Sequence, residues 1–154
     1  MVKGETMEII QWTLPECEQE SGAGDAFNAN VRETSPLHTH DFYEIFYVNK
    51  GKAIHCVNGE RIVVSSGAFV FIRPWDVHSY DSLNYSEFQM TSIGFTCDEA
   101  AEGFRWSQFP LSMVNVPKLP PHVMLNGAEK TEFENKLKGI VDIYPDINPL
   151  GLDT

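Results

Sequence analysis

The chain has 154 residues, 42% of them hydrophobic and 21% charged, which suits one globular domain with enough apolar material for a core. Its 22 acidic against 11 basic residues leave a formal net charge of -11, a field that repels phosphates and anionic headgroups and so argues against direct binding of nucleic acid or a membrane surface. The three cysteines, Cys17, Cys56 and Cys97, are odd in number and widely spaced, which argues against a disulfide framework and a thiolate zinc site and suits free thiols in a reducing cytoplasm.

The start, Met1-Val2-Lys3-Gly4-Glu5, lacks the apolar core of a signal peptide. No run approaches the roughly 20 apolar residues of a membrane span, so a soluble, cytoplasmic protein without membrane partners is expected. From residue 7 to 96 short segments rich in β-branched and aromatic residues alternate with turn signals, the spacing of a sandwich or barrel. Strands are predicted at 8–14, 27–33, 42–49, 52–57, 60–64, 68–72, 77–80 and 85–95, with a loop at Ser21-Gly22-Ala23-Gly24-Asp25. Asn58-Gly59 is the strongest local signal, because a type I′ hairpin turn needs positive φ at both central residues. Ala68-Phe69-Val70-Phe71-Ile72 is continuously apolar, as expected of a central strand buried on both faces.

Pro110, Pro117, Pro120 and Pro121 then predict an extended, Pro-rich linker. An amphipathic helix is predicted over 126–141, with Phe133, Leu137, Ile140 and Val141 at helical spacing. Pro145 and Pro149 end it, and the rest reads as a frayed tail. The organisation is therefore a barrel over 1–109, a linker over 110–125, one helix over 126–144 and a tail over 145–154.

Metal-capable side chains concentrate in His38-Thr39-His40-Asp41-Phe42-Tyr43-Glu44, joined by His78. Three imidazoles and a carboxylate suit Zn, Fe, Mn, Ni or Cu. His38 and His40 share one face of a strand, but an unbroken strand would carry Glu44 roughly 13 Å past His40. A common site requires the chain to bend between Asp41 and Tyr43. The plainer reading is a set of polar barrel residues bonded to one another. His55 and His122 lie outside the motif and receive no role. Among the aromatics, Phe42, Trp75 and Tyr80 are candidates for apolar walls against a ligand, whereas Phe46 and Phe88 suit core packing. Arg73 is a candidate partner for a ligand carboxylate, phosphate or hydroxyl, with an ion pair as the alternative.

His38-x-His40, Glu44 and Gly51 resemble the second part of the first cupin motif, and Gly67, Pro74 and His78 resemble the second motif. Arg32, Arg73 and Trp75 stand where those motifs carry glycine, proline and glycine. Together with Glu44-Ile45-x-Tyr47-Val48, Val57-Asn58-Gly59, Gly67-Ala68-Phe69-Val70-Phe71-Ile72 and His78-Ser79-Tyr80, they are similar to the ligand-sensing N-terminal domain of AraC-type transcription regulators. The resemblance implies an all-β cupin double-stranded β-helix, a jelly-roll barrel. It also implies a small-molecule ligand, a sugar or related metabolite, at His38, His40, Phe42, Glu44, Arg73, Trp75, His78 and Tyr80, with no catalytic residue. His38, His40, Glu44 and His78 would hold any divalent transition metal. DNA would be bound only through a separate helix-turn-helix part absent from these residues, and a homodimer is expected. A metal-dependent cupin enzyme, a dioxygenase or isomerase, and a dimerisation module are the rival readings.

Overall fold

The computed structural model describes residues 8–12, 26–31, 35–85 and 87–143. The predicted loop at 21–25, the tail at 145–154 and Arg32 lie outside them. Among the described residues ten strands form two five-stranded sheets. They are β1 (Ile10–Trp12), β2 (Ala26–Val31), β3 (His38–His40), β4 (Tyr43–Lys50), β5 (Lys52–Val57), β6 (Glu60–Ser65), β7 (Ala68–Ile72), β8 (His78–Ser82), β9 (Phe88–Phe95) and β10 (His122–Met124). The first sheet runs β1-β3-β8-β5-β6 and the second β10-β7-β4-β9-β2. Every pairing is antiparallel except the parallel one between β1 and β3.

The inner faces meet in a core of Phe46, Val48, Ala53, Val64, Ala68, Val70, Ile72, Tyr80, Phe88 and Met90. Burial of each large side chain there contributes about 1.5–3 kcal/mol relative to exposure. β7 is covered on both faces, as its unbroken apolar run predicts, because Val70 and Ile72 face the other sheet while Phe69 and Phe71 meet the helices. The Asn58-Gly59 turn joins β5 to β6 with φ of 49° and 83°, the two positive values a type I′ turn demands.

The helical content exceeds the single helix predicted. That helix forms as α3 (Gly127–Ile143) and packs Leu137 and Phe133 against Tyr47, Ile93 and Phe69 on the outer face of the second sheet. Two further helices are α1 (Cys97–Ser107) and the short α2 (Ser112–Asn115). At the start of α1 the Thr96 side chain caps the Glu99 amide and the Glu99 side chain returns to the Thr96 amide, a capping box. Ala100 is the one buried residue of α1, and with Phe104 it packs the helix against Tyr43 and Phe71 on the outer face of the second sheet. The segment expected to be an extended linker instead contains α2 and β10. Its prolines flank these elements rather than interrupt them, and the Pro121 carbonyl accepts a bond from the Phe71 amide. At Gly67, with φ +98°, an added Cβ would strike the Leu125 carbonyl oxygen, so the close approach of β10 to β7 requires glycine.

Candidate functional site

His38 and His40 alternate with Thr39 along β3, which turns both imidazoles inward. The chain then bends at Asp41-Phe42 and passes from one sheet to the other, so that Glu44 enters from β4. His78 is the first residue of β8 and lies directly opposite His38. One ligand atom from each of His38, His40, Glu44 and His78 lies within 4.8 Å of the others, and all four residues are buried. The sheet change is the bend that a shared site requires.

The rings are oriented from behind. His38 Nδ1 lies 2.8 Å from the Pro36 carbonyl oxygen and His40 Nδ1 2.7 Å from that of Phe42, so each Nδ1–H donates outward and each Nε2 faces the cluster. His40 Nε2 is 3.0 Å from Glu44 Oε2, a contact that holds one proton until a cation displaces it. The Ser92 hydroxyl donates to Glu44 Oε1. His78 Nε2 lies 3.7 Å from Glu44 Oε2, and among the described residues it is the buried side-chain nitrogen or oxygen without a hydrogen-bond partner.

Burial dominates the electrostatics. It lowers the His38 pKa against the opposing bond to Pro36, and it holds His78 well below the usual histidine range, with the neighbouring histidines acting the same way. For Glu44 burial works upward, but the hydrogen bond and charge of His40, with the Ser92 bond, outweigh it and hold the carboxyl low. Burial, reinforced by the Glu44 charge, raises Tyr80 well above the ordinary phenol value.

Of the eight residues nominated from sequence, six are brought together. Phe42 stacks on His40 with ring centres 4.1 Å apart, and Tyr80 Oη lies 3.3 Å from His78 Nδ1. Arg73 and Trp75 stand outside the cluster. Arg73 is buried in an ion pair with Asp76 and donates to the carbonyls of Val114, Asn115, Pro117 and Lys118. Trp75 is 51% exposed and lies over the Arg73 guanidinium. Two further residues belong with the site. Trp12 of β1 stacks on His38 at 3.7 Å between centres, covering the cluster. His55 is buried with its Nε2 3.3 Å from His78 Nδ1; its shared parity with Ala53 and Val57 is the sequence signal that marks it as inward.

This donor set can hold a divalent transition metal, since inward lone pairs on imidazoles beside an ionised carboxylate are the groups such ions take. The unpartnered Nε2 of His78 fits the same occupant, because coordination would satisfy it.

Comparison with known proteins agrees with this architecture. The family model of the AraC-like ligand binding domain matches residues 24–130. The HTH-type transcriptional activators RhaS of Yersinia pestis (strain Pestoides F) and Yersinia pseudotuberculosis (serotype O:1b, strain IP 31758) are each 33% identical over 81 residues, or 52% of this chain. The match spans only 29% of the length of those relatives. Among solved structures, apo ToxT from Vibrio cholerae strain SCE256 superposes with a TM-score of 0.61 at 11% identity, covering 82% of this chain and 54% of that one. That likeness shows the fold.

Proposed function

The chain belongs to the AraC-like ligand binding domain family, and from that premise we propose that it is the ligand-sensing part of an AraC-type transcription regulator, with the His38, His40, Glu44 and His78 cluster as its recognition centre. The observation that carries the reading is the convergence of four buried polar groups whose hydrogen bonds hold them inward while His78 Nε2 stays unpartnered. A purely structural cluster would be expected to satisfy all its members.

A divalent transition metal, held by these four residues, would supply a Lewis-acidic point for an oxygen-rich ligand. The ligand class we favour is a carbohydrate or related metabolite, whose hydroxyls suit a carboxylate and imidazoles and whose ring faces suit Phe42 and Trp12. Its entry would displace β1, since Trp12 stacks on His38 and, among the described residues, this three-residue strand pairs with β3 alone. A ligand that favours one position of β1 over another thereby has something to report. DNA would be contacted by a separate helix-turn-helix unit, in keeping with the regulators that this chain resembles.

The test is elemental analysis of protein purified without chelator, followed by a thermal-shift screen of sugars and metabolites on metal-loaded and metal-free samples. The expected result is about one bound transition metal per chain, and a ligand-dependent rise in Tm that His40→Ala and His78→Ala abolish. Turnover of a screened compound would replace the sensor by an enzyme. A rise unaffected by either substitution would move the site elsewhere.

A further inference from the structure

We propose that His55 is a positioning residue for His78, holding that ring in the tautomer that turns a bare Nε2 lone pair toward Glu44, His38 and His40. The consequence for cation binding rests on the reading of the cluster given above; the tautomer itself does not.

His55 lies on β5 with its side chain inward, 1% exposed, directly across from Tyr80 of β8. Its ring stacks on that of Tyr80 at 5.4 Å and 23°, and its Nε2 lies 3.3 Å from His78 Nδ1. Tyr80 Oη lies at the same 3.3 Å from that nitrogen. His78 Nδ1 therefore has two neighbours, and what they offer decides where the ring keeps its proton.

The buried His78 ring must place its one N–H where something accepts it; Nε2 has no hydrogen-bond partner among the described residues, so the hydrogen belongs on Nδ1 and the Tyr80 oxygen accepts there. His55 completes the arrangement when its Nε2 is also an acceptor, its own proton resting on Nδ1. Against two lone pairs, His78 Nδ1 carries the hydrogen. The opposite tautomer would place an N–H at Nε2 with Glu44 Oε2 3.7 Å away, beyond hydrogen-bond range. At His38 and His40 main-chain carbonyls hold the Nδ1 hydrogen from behind, whereas at His78 side chains take that place. All three rings then present Nε2 to one point beside Glu44.

Long-range proton–nitrogen NMR on labelled, metal-free protein near neutral pH reads the tautomer directly. The wild-type His78 is expected to show Nδ1 protonated and Nε2 bare. His55→Leu keeps the bulk but removes the acceptor; it should populate the other tautomer and weaken Ni²⁺ or Zn²⁺ binding by about 10–100-fold. His55→Gln returns a side-chain carbonyl acceptor and should recover most of both. A wild-type His78 protonated at Nε2, or a folded His55→Leu protein with unchanged tautomer and metal affinity, overturns the proposal. Should His55→Leu not fold, His55→Gln decides, since loss of the Nδ1–H form there also overturns it. If the wild type takes up neither metal, the cation reading of the cluster falls while the tautomer still judges His55.

Discussion

The Arg73 guanidinium grips the Asp76 carboxylate at two points, Nε to Oδ2 at 3.0 Å and Nη2 to Oδ1 at 2.8 Å, in a setting where both residues are essentially inaccessible to water. The same guanidinium gathers carbonyls from the end of α2 and from the residues after it, and Asn58 in the hairpin turn bonds both Asp76 and the Lys118 carbonyl. Removing one partner strands a buried charge. Asp76→Ala should therefore cost about 3–5 kcal/mol in urea denaturation, with faster proteolysis between residues 110 and 121. Arg73→Lys should also destabilise, because an ammonium cannot span the fork.

Acid should unfold the protein early. Burial holds the pKa of His55 at about 4, against an ordinary 6.5, and lowers those of His38 and His78 as well. Below pH 6.5 the unfolded chain takes up protons that the native rings refuse, so stability falls with pH until the native value is passed. Glu44, also held low, adds a loss of the same sign further into acid. His55 alone accounts for about 3 kcal/mol. Denaturation midpoints measured from pH 7 down to 4 should drop steeply, and His55→Gln should flatten the slope.

Gly59 and Gly67 both have positive φ, yet alanine should affect them differently. At Gly59 an added Cβ meets nothing within 4 Å, so the conformational penalty of about 1–2 kcal/mol is the whole effect. At Gly67 the new atom would strike the Leu125 carbonyl, so the loss should exceed that and be accompanied by faster amide exchange in β10. Equal effects would mean that β10 gives way freely.

These 154 residues should not retard duplex DNA in a gel shift at physiological salt, given their net charge of -11. Salt-sensitive submicromolar binding would be inconsistent with a separate DNA-binding unit.

Local chemistry made much of this legible. Asn58-Gly59 demanded its turn, and the even spacing of His38 and His40, set against the distance to Glu44, demanded a bend that the structure provides by changing sheets. What escaped was mostly non-local. Nothing near His55 or Trp12 in the chain announces that β5 pairs with β8, or that β1 lies along β3, and those registers are what carry the two rings to His78 and His38. α1 is different. Thr96 and Glu99 are a readable start signal, and Ala100 and Phe104 stand four apart on one side behind them, so this helix was legible and was missed. β10 was hidden by Pro120 and Pro121, which look like a barrier to strands yet here only precede one.

The assembly of the cluster from both sheets also has a consequence for chain entropy. His38, His40 and His78 come from one sheet and Glu44 from the other, with β5, β6 and β7 strung between Glu44 and His78. An ion bound to all four would close that long loop as a covalent cross-link does. The unfolded chain could offer little beyond the local His38-x-His40 pair, so nearly all of the binding free energy would count toward stability.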